Sequence, residues 1–477
     1  MSELNDRYQA QLQRLNRHGQ AHLLAFWDAL SDTERGFLLN DIEQIDLEVC
    51  QSLVKQYVLR KPRIKLPDRL EPAPILPATP DSERADMYRH AFDAGCEAIQ
   101  AGQVAAFTVA GGQGTRLGFD GPKGAYPTSP IRGATLFQLF AEALLGIERR
   151  LGRRPRWYIM TSPANHADSV SFFESHEYWG LQPEEVIFFP QGQMPAFHPD
   201  GRIALSAPHR VALAPDGHGG SLRALAASGA LDEMRTAGID YLSYFQVDNP
   251  LVKAVDPLFI GLHILHDSEL STKAVTKADD IERVGNICLA DGHLTVIEYS
   301  DLPDELAHAR DAGGQRRFDA GNIAIHLLSR EFIERVTAID SSCQLPWHRA
   351  DKKVAVLNHD GQLITPDTPN VVKLEMFVFD AIALARNPLV VYTERGEEFS
   401  PIKNAEGTDS VATARRDQIR RAARWLEIAG VTIRYDQAGE PDPPMEISPT
   451  FALDAQDLSA QLSNIPVHEA DRPLLLA

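Results

Sequence analysis

The sequence predicts an α/β chain with a doubly wound core, and three observations carry that expectation. Apolar runs of strand length without alternation, such as Val104-Ala105-Ala106-Phe107-Thr108-Val109, suit strands buried on both faces, as in a largely parallel sheet. Helical and strand-like stretches then alternate: residues 135–145 carry a helical pattern, while Trp157-Tyr158-Ile159-Met160-Thr161 and Val186-Ile187-Phe188-Phe189 read as strands. Finally, the turn pairs Asp200-Gly201, Asp291-Gly292 and Asp360-Gly361, flanked by β-branched or apolar residues, add antiparallel hairpins and make the sheet a mixed one. In such a core, ligands bind beyond the carboxyl ends of the strands.

Residues 18–57 open the chain with a helical pattern in which Leu23, Trp27 and Leu30 share a face, continued by Leu38, Ile42 and Ile45. Ser31-Asp32-Thr33-Glu34 reads as a capping box, since the serine and glutamate side chains can each take a free N–H of the first turn. Residues 61–80 hold six prolines and read as an extended tether over the surface. Beyond Phe399-Ser400-Pro401-Ile402-Lys403-Asn404 the pattern changes: residues 413–429 are helical and arginine-rich, and the rest is proline-punctuated and β-like.

Composition narrows the function. A chain of 477 residues exceeds the size at which one core stops growing, so two or three domains are expected. No stretch approaches the roughly 20 apolar residues that span a bilayer, and Met1-Ser2-Glu3-Leu4-Asn5-Asp6-Arg7 has no hydrophobic signal region; a cytoplasmic protein without a membrane partner is expected. A formal charge of −19 argues against nucleic acid as partner, so any phosphate site must be a local basic pocket. Cys50, Cys96, Cys288 and Cys343 form no C-x-x-C pair and have no histidine at metal-ligand spacing. There is no H-E-x-x-H and no G-x-S-x-G, so covalent catalysis is not indicated.

The first strand runs straight into Ala110-Gly111-Gly112-Gln113-Gly114-Thr115-Arg116-Leu117-Gly118 and then Gly121-Pro122-Lys123-Gly124. Glycines without Cβ let consecutive N–H groups converge on an anion, and Arg116 and Lys123 add the full charge that dipoles lack. The loop matches neither common phosphate motif: the third glycine comes one residue late for G-x-G-x-x-G, and no G-K-[ST] follows. A second glycine loop, Ala214-Pro215-Asp216-Gly217-His218-Gly219-Gly220, opens a helical pattern. Asp248 ends the apolar strand Tyr241-Leu242-Ser243-Tyr244-Phe245-Gln246-Val247, where a carboxylate can reach a phosphate-bound ion; equally, Asp248-Asn249 before Pro250 reads as a turn.

The glycine loop, with Pro122-Lys123-Gly124 and Thr135-Leu136-Phe137-Gln138, resembles the nucleotide loop of the eukaryotic-type UDP-sugar pyrophosphorylases, most closely the UDP-N-acetylhexosamine branch. The resemblance extends over nearly the whole chain, from His18-Gly19-Gln20-Ala21-His22 in the N-terminal helices to the arginine-rich C-terminal part. It implies a Rossmann-like nucleotidyltransferase core at residues 99–404, a helical N-terminal region with its tether at 1–98 and a small β-rich C-terminal domain at 405–477.

It also implies a UTP-dependent uridylyltransferase using Mg2+, with UTP, a sugar-1-phosphate, the UDP-sugar and pyrophosphate as its small-molecule partners, in a monomer or weak homo-oligomer. Residue by residue, Ala110, Gly111, Gly112, Gly114, Thr115, Gln191, Pro215 and Gly217 would hold the nucleotide. Arg116, Lys123 and Lys403 would act on the phosphates, and Asp248 would hold the metal. His218, Glu298, Tyr299, Gly321 and Asn322 would face the sugar. Gln191 suits uracil because an amide donates and accepts together. The chain departs from the pattern at His218, where the branch carries asparagine and the UDP-glucose branch histidine, and at Asp319, where it usually carries asparagine. Lys373-Leu374-Glu375-Met376-Phe377 matches a family segment without an assignable role. N-acetylglucosamine-1-phosphate is the expected sugar, with a UDP-glucose or broad-specificity enzyme as the alternative. A non-catalytic nucleotide-sugar sensor would be expected to have lost Arg116, Lys123, Asp248 or Lys403, and all four are present.

Overall fold

The computed structural model describes residues 3–61, 67–338, 344–461, 463 and 472–477. The chain forms two compact units, one from Met1–Leu66, Gln191–Ser221 and Leu345–Val378, the other from Pro67–Pro190, Leu222–Gln344 and Phe379–Ala477.

The larger unit is built on a ten-stranded mixed sheet whose main path runs Leu70–Pro72, Gly285–Ala290, Ala320–Ser329, Tyr241–Gln246, Val104–Val109, Arg156–Thr161 and Val186–Pro190. The last four are mutually parallel. Ala320–Ser329 runs antiparallel to Tyr241–Gln246 and turns the sheet mixed. Val104–Val109 lies at the centre of the parallel half with five of its six residues buried, as its unbroken apolar pattern requires. Val109 is in register with both Met160 and Gln246, so three strands end along one carboxyl edge, where the glycine loop and Asp248 emerge.

One face of this sheet is sealed by an aromatic cluster. Phe137 and Phe140 on the helix Leu136–Leu151 pack edge-on to Phe173 (4.9 Å) and Phe245 (5.0 Å), and the buried Trp157 ring gives its N–H to Thr108 Oγ1 at 2.8 Å. Burying each such ring is worth about 2–3 kcal/mol, and the indole bond spares the core an unpaired donor. Helices Ala85–Gln100 and Pro257–Leu265 touch backbone to backbone: a Cβ on Gly95 would lie 1.8 Å from Pro257 O, and one on Gly261 1.5 Å from Ala91 O. Only glycine fits at either crossing.

In the smaller unit, Leu15, Leu38, Ile42, Leu53 and Val58 of the N-terminal helices share a core with Phe197, Ile203, Val211, Leu357 and Val372. Asp41 fastens Val211 N–H (3.0 Å) and Arg210 (2.9 Å), and Arg349 donates to the carbonyls of Tyr57 and Val58.

The capping box at Ser31 and Glu34 forms as expected. All three turn pairs make hairpins. At Asp291-Gly292 both residues take positive φ (49° and 85°) directly between Ala290 and His293, the two-residue turn that matches strand twist. Two expectations are corrected. Residues 18–30 form no continuous helix: Gly19 (φ 68°) ends Glu3–Arg17, and two 3-10 turns, Ala21–Leu24 and Trp27–Ala29, follow, with Phe26 outside helical dihedrals. Leu23 and Leu30 are still buried, because the turns present them to the same core. The described part of the tether does not simply lie over the surface either: Leu70–Pro72 pairs with Gly285–Ala290 and Leu76 bridges Val391, giving the sheet edges partners. Residues 62–66 of that tether, and Cys343, lie outside the described residues. Towards the C-terminus the helix Val411–Ile428 starts at a capping box on Ser410, and Met445–Ile447 pairs in parallel with Leu474–Leu476. No described helix is long and apolar enough to cross a membrane.

Candidate active site

In the larger unit the glycine loop is held open by its own backbone. Gly114 N–H bonds Gly121 O (2.9 Å), Lys123 N–H bonds Gly112 O (3.0 Å), and the loop turns at Gly118 and Gly121, both with positive φ. A Cβ on Gly114 would come within 2.9 Å of Phe119 O, and one on Gly124 would enter the Phe137 ring. The glycines therefore serve packing as well as anion access. Ala110 spends its N–H on Met160 O (2.7 Å), whereas among the described residues nothing takes the N–H of Gly111 or Gly112.

Asn165 explains that exposure. It is fully buried, and its Nδ2 donates to both Ala110 O (3.0 Å) and Gly112 O (3.2 Å), while its Oδ1 accepts from Ser162 N–H and Oγ–H. The carbonyls of Ala110 and Gly112 are thus engaged by the protein, while the amides of Gly111 and Gly112 stay open to an anion. Asn165→Ala would strand Ala110 O, at about 1–3 kcal/mol, and leave Gly112 O with the Lys123 N–H alone; it is expected to raise KM for a phosphate-bearing ligand about tenfold with a smaller change in kcat. An unchanged KM would show that the loop holds its shape without Asn165.

Lys123 and Asp248, far apart in sequence, are neighbours in the structure. Lys123 Nζ lies 3.7 Å from Asp248 Oδ2, with side chains only 17% and 13% exposed, and donates to Ile402 O at 3.2 Å. Ile402 N–H in turn bonds Asp248 O (2.8 Å). Three distant segments are thereby laced together, and Lys403 follows directly, its N–H on Asp409 O (2.7 Å) and its side chain half-buried. Asn249 is the second clasp: Nδ2 donates to Glu398 O (2.6 Å) and Oδ1 accepts from Ser400 N–H (3.1 Å). Glu398 is anchored in turn by the buried Lys273 at 2.6 Å, which also holds Asp256 at 2.6 Å. Removing one partner of such a buried set costs about 3–5 kcal/mol, so the segment bearing Lys403 is stiffly held. Arg116 sits exposed on the turn Thr115–Leu117, in no ion pair among the described residues.

Of the five sugar candidates, Glu298, Tyr299, Gly321 and Asn322 lie on or beside the antiparallel strands of the larger unit, whereas His218 belongs to the smaller one. Gly285 stands opposite Asn322, and a Cβ there would lie 3.8 Å from Asn322 Cβ and 3.8 Å from Glu298 Oε1, so the two polar side chains flank one glycine. Gly321 pairs with Asn286, whose Oδ1 accepts from the buried Lys277 at 3.0 Å. Burial lowers the Lys277 pKa. Tyr299 is 46% exposed. Asp319 is bound by Arg316 at 3.1 Å.

In the smaller unit, Gln193–Pro195 pairs with Leu213–Pro215, Gln193 opposite Pro215, which brings Gln191 beside the second glycine loop. Gln191 Nε2 donates to Asp216 Oδ1 (3.1 Å) and Gly217 O (2.7 Å), so its Oε1 is the remaining acceptor. Gly217 has φ 86°, and a Cβ there would strike Met376 O at 2.3 Å. Met376 N–H bonds Asp216 O and Met376 O accepts from Gly219 N–H, both at 2.8 Å, which gives the Lys373-to-Phe377 segment its place as the backing of this loop. His218 stacks on Phe377 (5.2 Å) and its Nδ1 accepts from Val378 N–H at 3.2 Å, which puts the ring proton on Nε2. Burial, assisted by His348, pushes its pKa down to about 4, so it is a neutral N–H donor at ordinary pH.

Relatives agree with this architecture from end to end. The family model for UTP–glucose-1-phosphate uridylyltransferase matches residues 77–417. The UDP-N-acetylhexosamine pyrophosphorylase-like protein 1 of Homo sapiens is 35% identical over 489 residues, 97% of this chain and 96% of that one. The UDP-N-acetylglucosamine pyrophosphorylase of Saccharomyces cerevisiae is 35% identical, over 87% of this chain and 90% of that one. Among solved structures, the uridine diphosphate N-acetylglucosamine pyrophosphorylase of Trypanosoma brucei is 27% identical with a TM-score of 0.81, covering 99% of this chain and 98% of that one. A UDP-glucose pyrophosphorylase of Leishmania major, 15% identical over 88% of this chain and 83% of that one, shares the fold at a TM-score of 0.60. The chain belongs to the UTP–glucose-1-phosphate uridylyltransferase family.

Proposed function

We propose that this chain is a UTP-dependent uridylyltransferase that forms UDP-N-acetylglucosamine and pyrophosphate from UTP and N-acetylglucosamine-1-phosphate. The observation that carries the reading is the 35% identity, over 97% of the chain, to relatives named for UDP-N-acetylhexosamine. The lacing of Lys123, Asp248 and the Lys403 segment supports it from the chemistry.

A sugar-1-phosphate is already an anionic nucleophile and needs no general base. Its oxygen forms a bond to the α-phosphorus as the bond to the β-phosphate oxygen breaks, and the electron pair leaves with pyrophosphate. The protein's task is to align two polyanions and disperse charge. The free amides of Gly111 and Gly112, with Thr115 and Arg116 beyond them, grip the triphosphate, and Lys123 neutralises it. Lys403 meets the charge that grows at the α-phosphorus. Gln191 presents Oε1 to the N3–H of uracil, a proton that cytosine lacks, while Gly217 borders the base. Glu298, Tyr299 and Asn322 orient the sugar hydroxyls.

Magnesium fits the donor set. Among the described residues no three His, Cys, Asp or Glu side chains form a metal cluster, and a single carboxylate at a strand end suits an ion that takes most of its ligands from phosphate and water. Bound there, it would neutralise the phosphates, and Asp248 would hold it.

Pyrophosphate release from UTP with a panel of sugar-1-phosphates tests the proposal. Turnover of N-acetylglucosamine-1-phosphate is expected, with lower but measurable turnover of glucose-1-phosphate. Use of glucose-1-phosphate alone would establish the alternative sugar, and no turnover with any sugar the sensor reading. His218 bears on that choice because its fixed Nε2–H only donates, whereas an asparagine amide donates and accepts. His218→Asn is expected to shift the ratio of kcat/KM values towards the N-acetylated sugar by about tenfold. A constant ratio would remove His218 from sugar discrimination.

A further inference from the structure

A cavity of about 460 Å³ lies within the larger unit, and neither the glycine-loop residues Arg116 and Lys123 nor Asp248 and Lys403 line it. Its walls are Phe140 and Ala143 of the helix Leu136–Leu151, Val252 and Val255 beyond the Asp248 strand, and Trp425 and Leu453 of the C-terminal part. The volume is that of a small organic ligand, and the walls are mainly apolar.

The charges around it are unevenly matched. Each carboxylate on the wall already has a cation: Asp256 has Lys273 (2.6 Å), Glu397 has Arg424 (2.8 Å), Glu446 has Arg132 (2.7 Å) and Asp454 has Arg150 (2.5 Å). The two other wall cations are more weakly matched: Lys253 shares a carboxylate with a second lysine, and Arg421 is in no ion pair among the described residues. Lys253 comes no nearer than 3.8 Å to Glu398, which Lys273 already holds at 2.6 Å. Arg421 gives Nη1 to the carbonyls of Leu251 (2.9 Å) and Glu397 (3.1 Å), and among the described residues no acceptor takes Nε or Nη2. Burial pushes the Arg421 pKa down to about 10, and for Lys253 burial is outweighed by Asp256 and Glu398, so both stay charged at neutral pH.

We propose that this cavity is a regulatory site for a small amphipathic anion, its apolar body against Phe140 and Trp425 and its carboxylate or phosphate head on Arg421 and Lys253. The same guanidinium ties Leu251, three residues after Asp248, to Glu397, six before Lys403. A head group that draws on Arg421 therefore acts on both segments at once. Binding is independent of the proposed reaction; only its effect on turnover rests on that reading.

The probe is 8-anilino-1-naphthalenesulfonate, titrated by fluorescence into the full chain beside its uncharged analogue N-phenyl-1-naphthylamine. One saturable site is expected for the anion, weakened about tenfold in Lys253→Met and abolished in Ala143→Phe, which fills the cavity. No saturable site, or an affinity unmoved by Ala143→Phe, would overturn the site. Equal affinity for the uncharged analogue would overturn the ligand class. Decanoate and decyl phosphate, as competitors, then separate a carboxylate from a phosphate head. At saturation kcat for uridylyl transfer is expected to change more than twofold in the wild type and not in Ala143→Phe; binding with kcat unchanged would overturn the regulatory role.

Discussion

Asp248→Asn is expected to leave the protein folded and to lower kcat about 10²- to 10³-fold, the scale of losing one preorganised electrostatic group. The replacement is close to isosteric, and the backbone bond from Ile402 N–H to Asp248 O does not involve the side chain, so the melting temperature should stay near that of the wild type. What changes is charge: a neutral amide holds magnesium poorly, and Lys123, 3.7 Å away, loses its counter-ion. Calorimetry should show UTP binding much less strengthened by magnesium than in the wild type. Wild-type rates at saturating magnesium would remove Asp248 from the mechanism. The double variant with Lys123→Met completes a cycle, and because the two side chains are in contact its losses should be clearly less than additive in free energy.

Much of the larger unit was legible because its signals are local. An unbroken apolar run, a glycine loop with two cations and an apolar strand ending in Asp248 each lie within about a dozen residues, where strand burial and backbone access leave a direct trace in residue type. The two clasps were not legible. Asn165 acts on carbonyls 53 and 55 residues away and Asn249 on groups 149 and 151 away, so nothing beside either in sequence marks the bond. Asn165 had one usable signal, its place in Thr161-Ser162-Pro163-Ala164-Asn165 between a strand end and a helix; Asn249 read as a turn former. The contribution of Met376 was hidden for another reason, since it backs the 216–219 loop through its own N–H and C=O, which leave no trace in residue type. Residues 18–30 misled because Leu23, Trp27 and Leu30 are spaced as on a helix, yet 3-10 turns bury the two leucines equally well. That Gln191–Ser221 and Leu345–Val378 complete the core of the N-terminal helices is likewise a property of long-range packing, which no window of sequence contains.

Lys403→Ala is expected to lower kcat about 10²-fold while KM for UTP changes only a few-fold, the pattern of an interaction made chiefly in the transition state. The substitution is a clean one because the scaffold around Lys403 does not use its side chain. Ile402 supplies the bonds to Asp248 and Lys123, Lys403 N–H is on Asp409 O, and Asn249 with Lys273 fixes the preceding turn through Ser400 and Glu398. The ammonium can therefore be removed without releasing the segment that carries it, and thermal stability should not move. Lys403→Arg keeps the charge but exchanges a point charge for a planar fork, so a partial recovery of kcat is expected rather than a full one. Loss confined to KM would reduce Lys403 to substrate binding. Loss of kcat together with a lowered melting temperature would mean that the segment depends on the lysine after all, and the charge at the α-phosphorus would then need another source, for which Lys123, bonded to Ile402 O beside it, is a candidate.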